Sequence, residues 1–145
     1  MLSSTCKYGI RAIVYIAGNS EKGENIGIKK ISHELDLPMP FLAKILQQMA
    51  KKKILNSTKG PHGGFSLARD PKEIYIIEVA KAIDGDDVFN RCVLHNDNCI
   101  SADRSRTQCT LHDDYVKARR KIEILFESKT VYSLVTTARN SNALY

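Results

Sequence analysis

Three of the four cysteines, Cys92, Cys99 and Cys109, fall within eighteen residues, with six and nine positions between them. Thiolates are soft ligands suited to iron–sulfur clusters and to zinc. Disulfides rarely persist in a reducing compartment, so clustered cysteines in a cytoplasmic chain point to a metal, a cluster or a thiol switch. Zinc ligands usually come as tighter Cys-x-x-Cys pairs, which this stretch lacks. Asp97, Asp103, Arg104 and Arg106 lie among the same cysteines and indicate a solvated loop open to oxidants. Cys6 stands apart and reads as a small buried residue.

A second set of residues could read a polyanion, and the elements around it say how. Ser3 or Ser4 can cap a first helix that runs to Gly18-Asn19. Ile28, Ile31 and Leu35 mark one face of a short second helix ended by Asp36-Leu37-Pro38. A third helix begins near Pro40 and buries Phe41, Leu42, Ile45, Leu46 and Met49. A tight connection of about four residues between two such helices is the spacing of a helix-turn-helix. In that motif the N-terminal residues of the second helix lie nearest the base edges. Here they are Pro38, Met39, Pro40, Phe41 and Lys44, with Gln47 and Gln48 one turn further on. Lys44 can donate to guanine or to phosphate, whereas Met39 and Pro40 offer only apolar contacts.

Two β-prone runs, Ile54-Leu55 and Phe65-Ser66-Leu67, bracket the tip Lys59-Gly60-Pro61-His62-Gly63-Gly64 and predict a hairpin, the wing of a winged helix. Lys59, His62 and Gly63 are its candidate DNA contacts, the glycine because it lets backbone approach phosphate without a side-chain clash. Lys51, Lys52 and Lys53 would add sequence-independent attraction to phosphate. Ile74 to Ile83 predicts another helix closed at Gly85, after which periodicity dissolves until Leu111. Leu111, Tyr115, Ala118, Ile122 and Leu125 then recur at alternating spacings of four and three, an apolar seam suited to a two-fold dimer. Thr130 can cap a last short helix through Val131, Leu134 and Val135, with Arg139 to Tyr145 as a tail. The predicted fold is mainly α with a small β-wing: a winged helix-turn-helix plus a long C-terminal dimerisation helix. Its divisions are a DNA-binding head over 1–85, a cysteine-bearing sensor loop over 86–110, and a dimerisation helix with tail over 111–145.

Composition agrees with that division. The 145 residues are 43% apolar and 26% charged, enough for one packed domain. Residues 1–83 hold 13 Lys/Arg against 7 Asp/Glu, while residues 84–145 hold 9 against 9, so the net charge of +6 belongs to the head. A basic head on a neutral body suits a nucleic acid partner. No signal peptide or long apolar run is visible, which predicts a cytoplasmic protein without membrane contact. Enzymatic function is disfavoured, because no phosphate-cradling loop, nucleophile elbow or placed carboxylate pair occurs.

The stretch Ile31 to Gly85, above all Lys59 to Arg69 followed by Glu78-Val79-Ala80-Lys81-Ala82-Ile83-Asp84-Gly85, resembles the Rrf2 family of bacterial winged-helix regulators, and the resemblance extends over nearly the whole chain. It implies a homodimer joined by a long helix at about Leu111 to Ser128, bound to a double-stranded DNA operator, in most cases as a repressor. Many members of the family hold an iron–sulfur cluster in the loop before that helix. The order Cys92, Cys99, Cys109-Thr110-Leu111-His112 matches the three cysteines and following histidine of the cluster-binding branch, although the loop is longer here. The resemblance therefore implies Cys92, Cys99, Cys109 and His112 as ligands of a cluster sensing iron–sulfur, redox or nitric oxide status, the two-iron form ahead of the four-iron form. His33 and His95 are secondary ligand candidates, and His62 reads as a DNA contact. Zinc, or a cluster-free regulator answering to thiol oxidation, a small molecule or a protein partner, are the alternatives. Pro38, Pro40 and Ala43 stand where the family's recognition helix often has serines and an acidic residue, so no operator sequence carries over. Lys59 replaces a wing arginine and forgoes its bidentate fork.

Overall fold

The computed structural model describes residues 2–20, 23–92, 94 and 111–141. Its elements in order are α1 (Ser4–Asn19), α2 (Ile28–Leu35), α3 (Met39–Lys51), β1 (Leu55–Thr58), β2 (Gly64–Leu67), α4 (Ile76–Asp84), α5 (His112–Ser128) and α6 (Val131–Ser141). The expected mainly α fold with a two-stranded wing is therefore observed.

Helix α1 starts where Ser3 Oγ accepts the Cys6 N–H at 3.0 Å, satisfying one of the donors a helix N-terminus leaves open. The Asp84 carboxylate accepts from both the Ser3 backbone N–H and its hydroxyl, tying the start of α1 to the end of α4. The turn after α2 is made by Asp36 in the left-handed region at φ 52°, a conformation Asp tolerates better than most side chains. Ser32 closes it, accepting the Leu37 N–H on its backbone carbonyl and donating its hydroxyl to the Leu37 carbonyl. Pro40 then falls in the first turn of α3, where a missing N–H costs nothing.

One core joins nearly every element. Ile13 and Ile16 of α1, Ile31 of α2, Leu42, Ile45, Leu46 and Met49 of α3, Ile54, Ile74, Val79 of α4 and Val131 of α6 are all buried in it. Gly9 permits the close crossing of α1 over α3 and α4, since a Cβ there would lie 2.1 Å from Ile83 Cδ1 and 3.2 Å from Ile45 Cγ2. The wing strands are antiparallel, pairing Leu55 with Leu67 and Thr58 with Gly64. Ile26 adds a bridge to Phe65, with the Ile26 N–H donating to the Phe65 carbonyl at 2.9 Å, so the wing's base is anchored beside the start of α2. This contact demands glycine at position 64, where φ is +147° and a Cβ would meet the Ile26 carbonyl oxygen at 2.3 Å.

The chain after α5 returns to the head. The Ile76 N–H donates to Lys129 O and the Val131 N–H to Ile74 O, each at 2.9 Å. Thr130 and Ser133 cap α6 reciprocally, each side-chain oxygen accepting the other's backbone N–H. Val131 and Val135 then pack in the core with α1, and Arg139 donates to the Gly18 carbonyl at 2.7 Å. Helix α5 differs in having no buried residue. It leans on the head through a smaller cluster of Cys6, Ala80, Val88 and Phe89, with the Phe126 ring edge-on to Phe89 at 5.6 Å.

Candidate nucleic-acid interface and cysteine loop

Helix α3 divides cleanly by face. Leu42, Ile45, Leu46 and Met49 are buried, while Lys44, Gln47, Gln48 and Lys51 are exposed at spacings that keep them on the opposite side. Pro38, Met39 and Pro40 are exposed at its start, Met39 with 42% of its surface in solvent. Phe41, expected both in the core and among the base-proximal residues, is half-buried and stands edge-on to Tyr8 of α1, with centroids 5.7 Å apart. Its ring links α1 to the first turn of α3.

At the wing tip Lys59 and His62 are exposed. Gly63 is half-buried, donates its N–H to the Gly60 carbonyl at 2.9 Å, and has no room for a Cβ, which would lie 2.3 Å from Thr58 O. Its first role is thus to close the tip that carries Lys59. Lys52 and Lys53 are exposed between α3 and β1. Sequence reasoning passed over Lys29 and Lys30, which are exposed in the first turn of α2 next to the anchored wing base. Cations are mildly unfavourable at a helix N-terminus, and α2 has neither an acidic residue in its first turn nor a side-chain cap to offset them. That local mismatch is legible in the sequence as two adjacent lysines following Gly27 with no acidic residue in the same turn.

The cysteine stretch begins from a fixed point. The Val88 N–H donates to Gly85 O and the Asn90 N–H to Asp87 O, and Val88 and Phe89 are buried. Arg91 then donates to the Asp84 carbonyl at 2.8 Å and meets the Asp87 carboxylate at 3.3 Å, while Arg119 of α5 donates to Arg91 O at 3.4 Å. Cys92 follows, half-buried, its sulfur accepting the Leu94 N–H at 3.4 Å. His112 is the first residue of α5 and half-buried. His95, Cys99 and Cys109 lie outside the described residues. Among the described residues, no group of three or more His, Cys, Asp or Glu is placed to hold a metal. His33 is exposed on α2 with Nδ1 3.6 Å from Glu34 Oε1.

Cys6 is completely buried, and burial, with the Asp84 carboxylate second, pushes its thiol up to about 12. It is a neutral packing residue at physiological pH, not a thiolate donor.

On α5 the apolar seam stays open to solvent. Leu111, Ile122 and Leu125 are 49%, 42% and 49% exposed, Ala118 is exposed and Tyr115 is half-buried. Ile124, outside the predicted seam, is exposed as well.

The Rrf2 family, described as iron-dependent transcriptional regulators, matches residues 2–137. The chain belongs to this family. As an Rrf2 protein it is a transcriptional regulator and not an enzyme, and regulators of this family bind DNA. Among curated relatives, a chain of Aquifex aeolicus described provisionally as an HTH-type transcriptional regulator is 27% identical over 135 residues, 93% of this chain and 91% of that one. The HTH-type transcriptional regulator IscR of Xenorhabdus nematophila is 28% identical over 112 residues, 77% of this chain and 67% of its own. Among solved structures, the global cysteine regulator CymR of B. subtilis superposes with a TM-score of 0.75 at 16% identity, covering 94% of this chain and 97% of its own. T. potens IscR gives 0.74 at 20% identity, covering 97% and 90%. These likenesses place the Rrf2 fold, and no described helix of the chain is long and apolar enough to cross a membrane.

Proposed function

We propose that this Rrf2 regulator is a homodimeric repressor whose α3 and wing bind a two-fold operator in double-stranded DNA, and whose Cys92, Cys99, Cys109 and His112 hold an iron–sulfur cluster. One observation carries the reading: Cys92 follows directly on Arg91, which is fastened to α4 and α5, and His112 opens α5, so the first and last of the four candidate ligands flank the chain that connects the head to the exposed seam. In this proposal Pro38, Met39, Pro40, Lys44, Gln47 and Gln48 enter the major groove, Phe41 holds their helix against α1, and Lys59 and His62 reach the adjacent backbone or minor groove. Residues 1–85 with α6 form the head, 86–110 the sensor loop, and α5 the dimer helix.

The donor set fits a cluster. Three thiols and an imidazole are soft or borderline ligands, Cys92 is partly accessible with its sulfur already accepting a backbone N–H, and Cys6 is excluded by its neutral thiol. A bound cluster, in the two-iron form, would supply a centre sensitive to oxidants and nitric oxide. This chain's own residues do the rest. Arg91 and Arg119 fasten the loop's start to α4 and α5, so the order of the loop bears on the angle between head and dimer helix. Two recognition helices must match about one DNA turn, so a small change of that angle alters binding.

The loop's spacing of six and nine residues, longer than the family's, supports a second reading in which the same thiols act without a cluster, by oxidation, through zinc, or alongside a small molecule or protein partner. Anaerobic, iron-replete reconstitution decides between them. We expect a coloured protein with bound iron and acid-labile sulfide, and loss of both in Cys92→Ala, Cys99→Ala and Cys109→Ala together with a changed operator affinity. Colourless wild type whose affinity matches all three variants rules the cluster out.

A further inference from the structure

Two charged residues join the wing to the far end of α5. Arg69 stands two residues beyond β2, where the Ala68 N–H still continues the wing's ladder by donating to Ile54 O at 3.0 Å. Its guanidinium reaches over the turn before α4, donating to Glu78 Oε2 at 2.7 Å and to Glu73 O at 3.4 Å. The other carboxylate oxygen of Glu78 accepts the Tyr75 N–H at 3.0 Å. Tyr75 in turn forms an antiparallel bridge with Thr130, and the Ile76 N–H donates at 2.9 Å to the carbonyl of Lys129, the C-terminal cap of α5. One carboxylate thus ties the exit of the wing to the corner between α5 and α6.

The pair does little for stability, since both side chains keep more than a third of their surface in solvent and exposed ion pairs contribute little. What it fixes is an angle. Each wing strand is four residues long, and at about 3.3 Å per residue the tip lies about 13 Å from the base, so a tilt of about 10° moves it by about 2 Å. In a two-fold dimer both tips move. Their separation then changes by about 4 Å, more than the step of about 3.4 Å from one base pair to the next.

We propose that Arg69 and Glu78 are positioning residues, whose ion pair sets the tilt of the wing against the dimer helix and so the half-site spacing that the dimer accepts in DNA. The inference rests on the DNA-binding and dimer readings above. It adds a specificity that no residue at the base edges supplies, because it depends on the distance between two wings and not on the bases either one meets.

The test titrates the full-length protein with a duplex that it has itself selected from a random library, and with the same duplex after its half-sites are moved one base pair closer or further apart. We expect wild type to prefer the selected spacing by about tenfold or more. Arg69→Gln and Glu78→Gln should each weaken binding to that duplex by about tenfold and shrink the preference among spacings to about twofold. Charge alone gives a different result, since removing Arg69 would lower affinity for a polyanion and removing Glu78 would raise it. The glutamine of Glu78→Gln can still accept the Tyr75 N–H, so the cap of α4 survives and the ion pair alone is lost. The double variant should lose no more than either single one, because both remove the same contact. A dimeric wild type indifferent to spacing, variants that keep the wild-type preference, or opposite effects of the two substitutions overturn the proposal. Wild type that binds no duplex, or that sediments as a monomer, fails the DNA-binding or the dimer reading first and takes this inference with it.

Discussion

Single residues here are set by their surroundings more than by their type. Cys6 and Cys92 are both cysteines, yet one is sealed in a packed cluster beside Asp84 and the other stands half-open at the head of a loop. Because the folded protein keeps the Cys6 proton up to about 12 while an ordinary thiol releases it near 9.0, the unfolded state binds fewer protons between those values. The stabilisation is therefore intact below pH 9.0 and is lost as the pH rises toward 12. Iodoacetamide at neutral pH should leave Cys6 unmodified until the protein is denatured, and Cys6→Ala should flatten the decline of stability on the alkaline side. Labelling of Cys6 in the folded protein would contradict its burial. At Gly64 the backbone leaves no alternative: a methyl group meets the Ile26 carbonyl at 2.3 Å in a positive-φ conformation. Gly64→Ala should cost about 2 kcal/mol in urea unfolding and loosen the wing, on the scale of known backbone strain. An unchanged denaturation midpoint would show that Ile26 and the wing separate freely.

Among the elements, α3 and α5 pose opposite packing problems. Helix α3 buries one face completely and offers the other, so its orientation is fixed by the core and its outward residues follow. Helix α5 buries nothing, keeps Leu111, Ile122, Ile124 and Leu125 in solvent, and is held to the head by little more than Phe126 and Arg119. A long helix left in that condition is expected to pair with a second copy, since contiguous apolar stripes of this kind are rarely left in water. Ile122→Asp, in the exposed seam of α5, should convert the dimer to monomer at micromolar concentration in sedimentation while the head keeps its circular dichroism. A wild type that sediments as a monomer would refute the dimer helix. Helix α6 was legible as a short capped helix through Thr130, Val131, Leu134 and Val135. That it packs on α1 was not, because its apolar positions fit a core and a tail equally well until Val131 N–H is seen donating to Ile74 O.

For the molecule as a whole, the excess positive charge lies on the head, and Lys29, Lys30, Lys44, Lys51, Lys52, Lys53 and Lys59 are all exposed there. Binding to a duplex operator should weaken linearly with the logarithm of salt concentration, since each neutralised phosphate releases about one counterion. Lys59→Ala should lower specific and non-specific affinity together and reduce the salt slope by about one if Lys59 meets phosphate. A loss confined to the operator would instead mean that Lys59 reads shape or bases, and absence of any salt-dependent binding would remove the DNA-binding assignment. By itself the sequence determined the local matters: the caps at Ser3 and Thr130, the proline-started α3, the wing around its glycines and the apolar periodicity of α5. Each depends on spacing and on the stereochemistry of neighbouring residues, and both are written along the chain. Only the tertiary structure decided what depends on surfaces meeting. It placed Phe41 against Tyr8 rather than wholly in the core, sealed Cys6 beside Asp84, and joined α6 to the head. It also left Leu111, Ala118, Ile122 and Leu125 open to solvent while Phe126 packs on Phe89, because periodicity marks an apolar strip but not the surface that lies across from it.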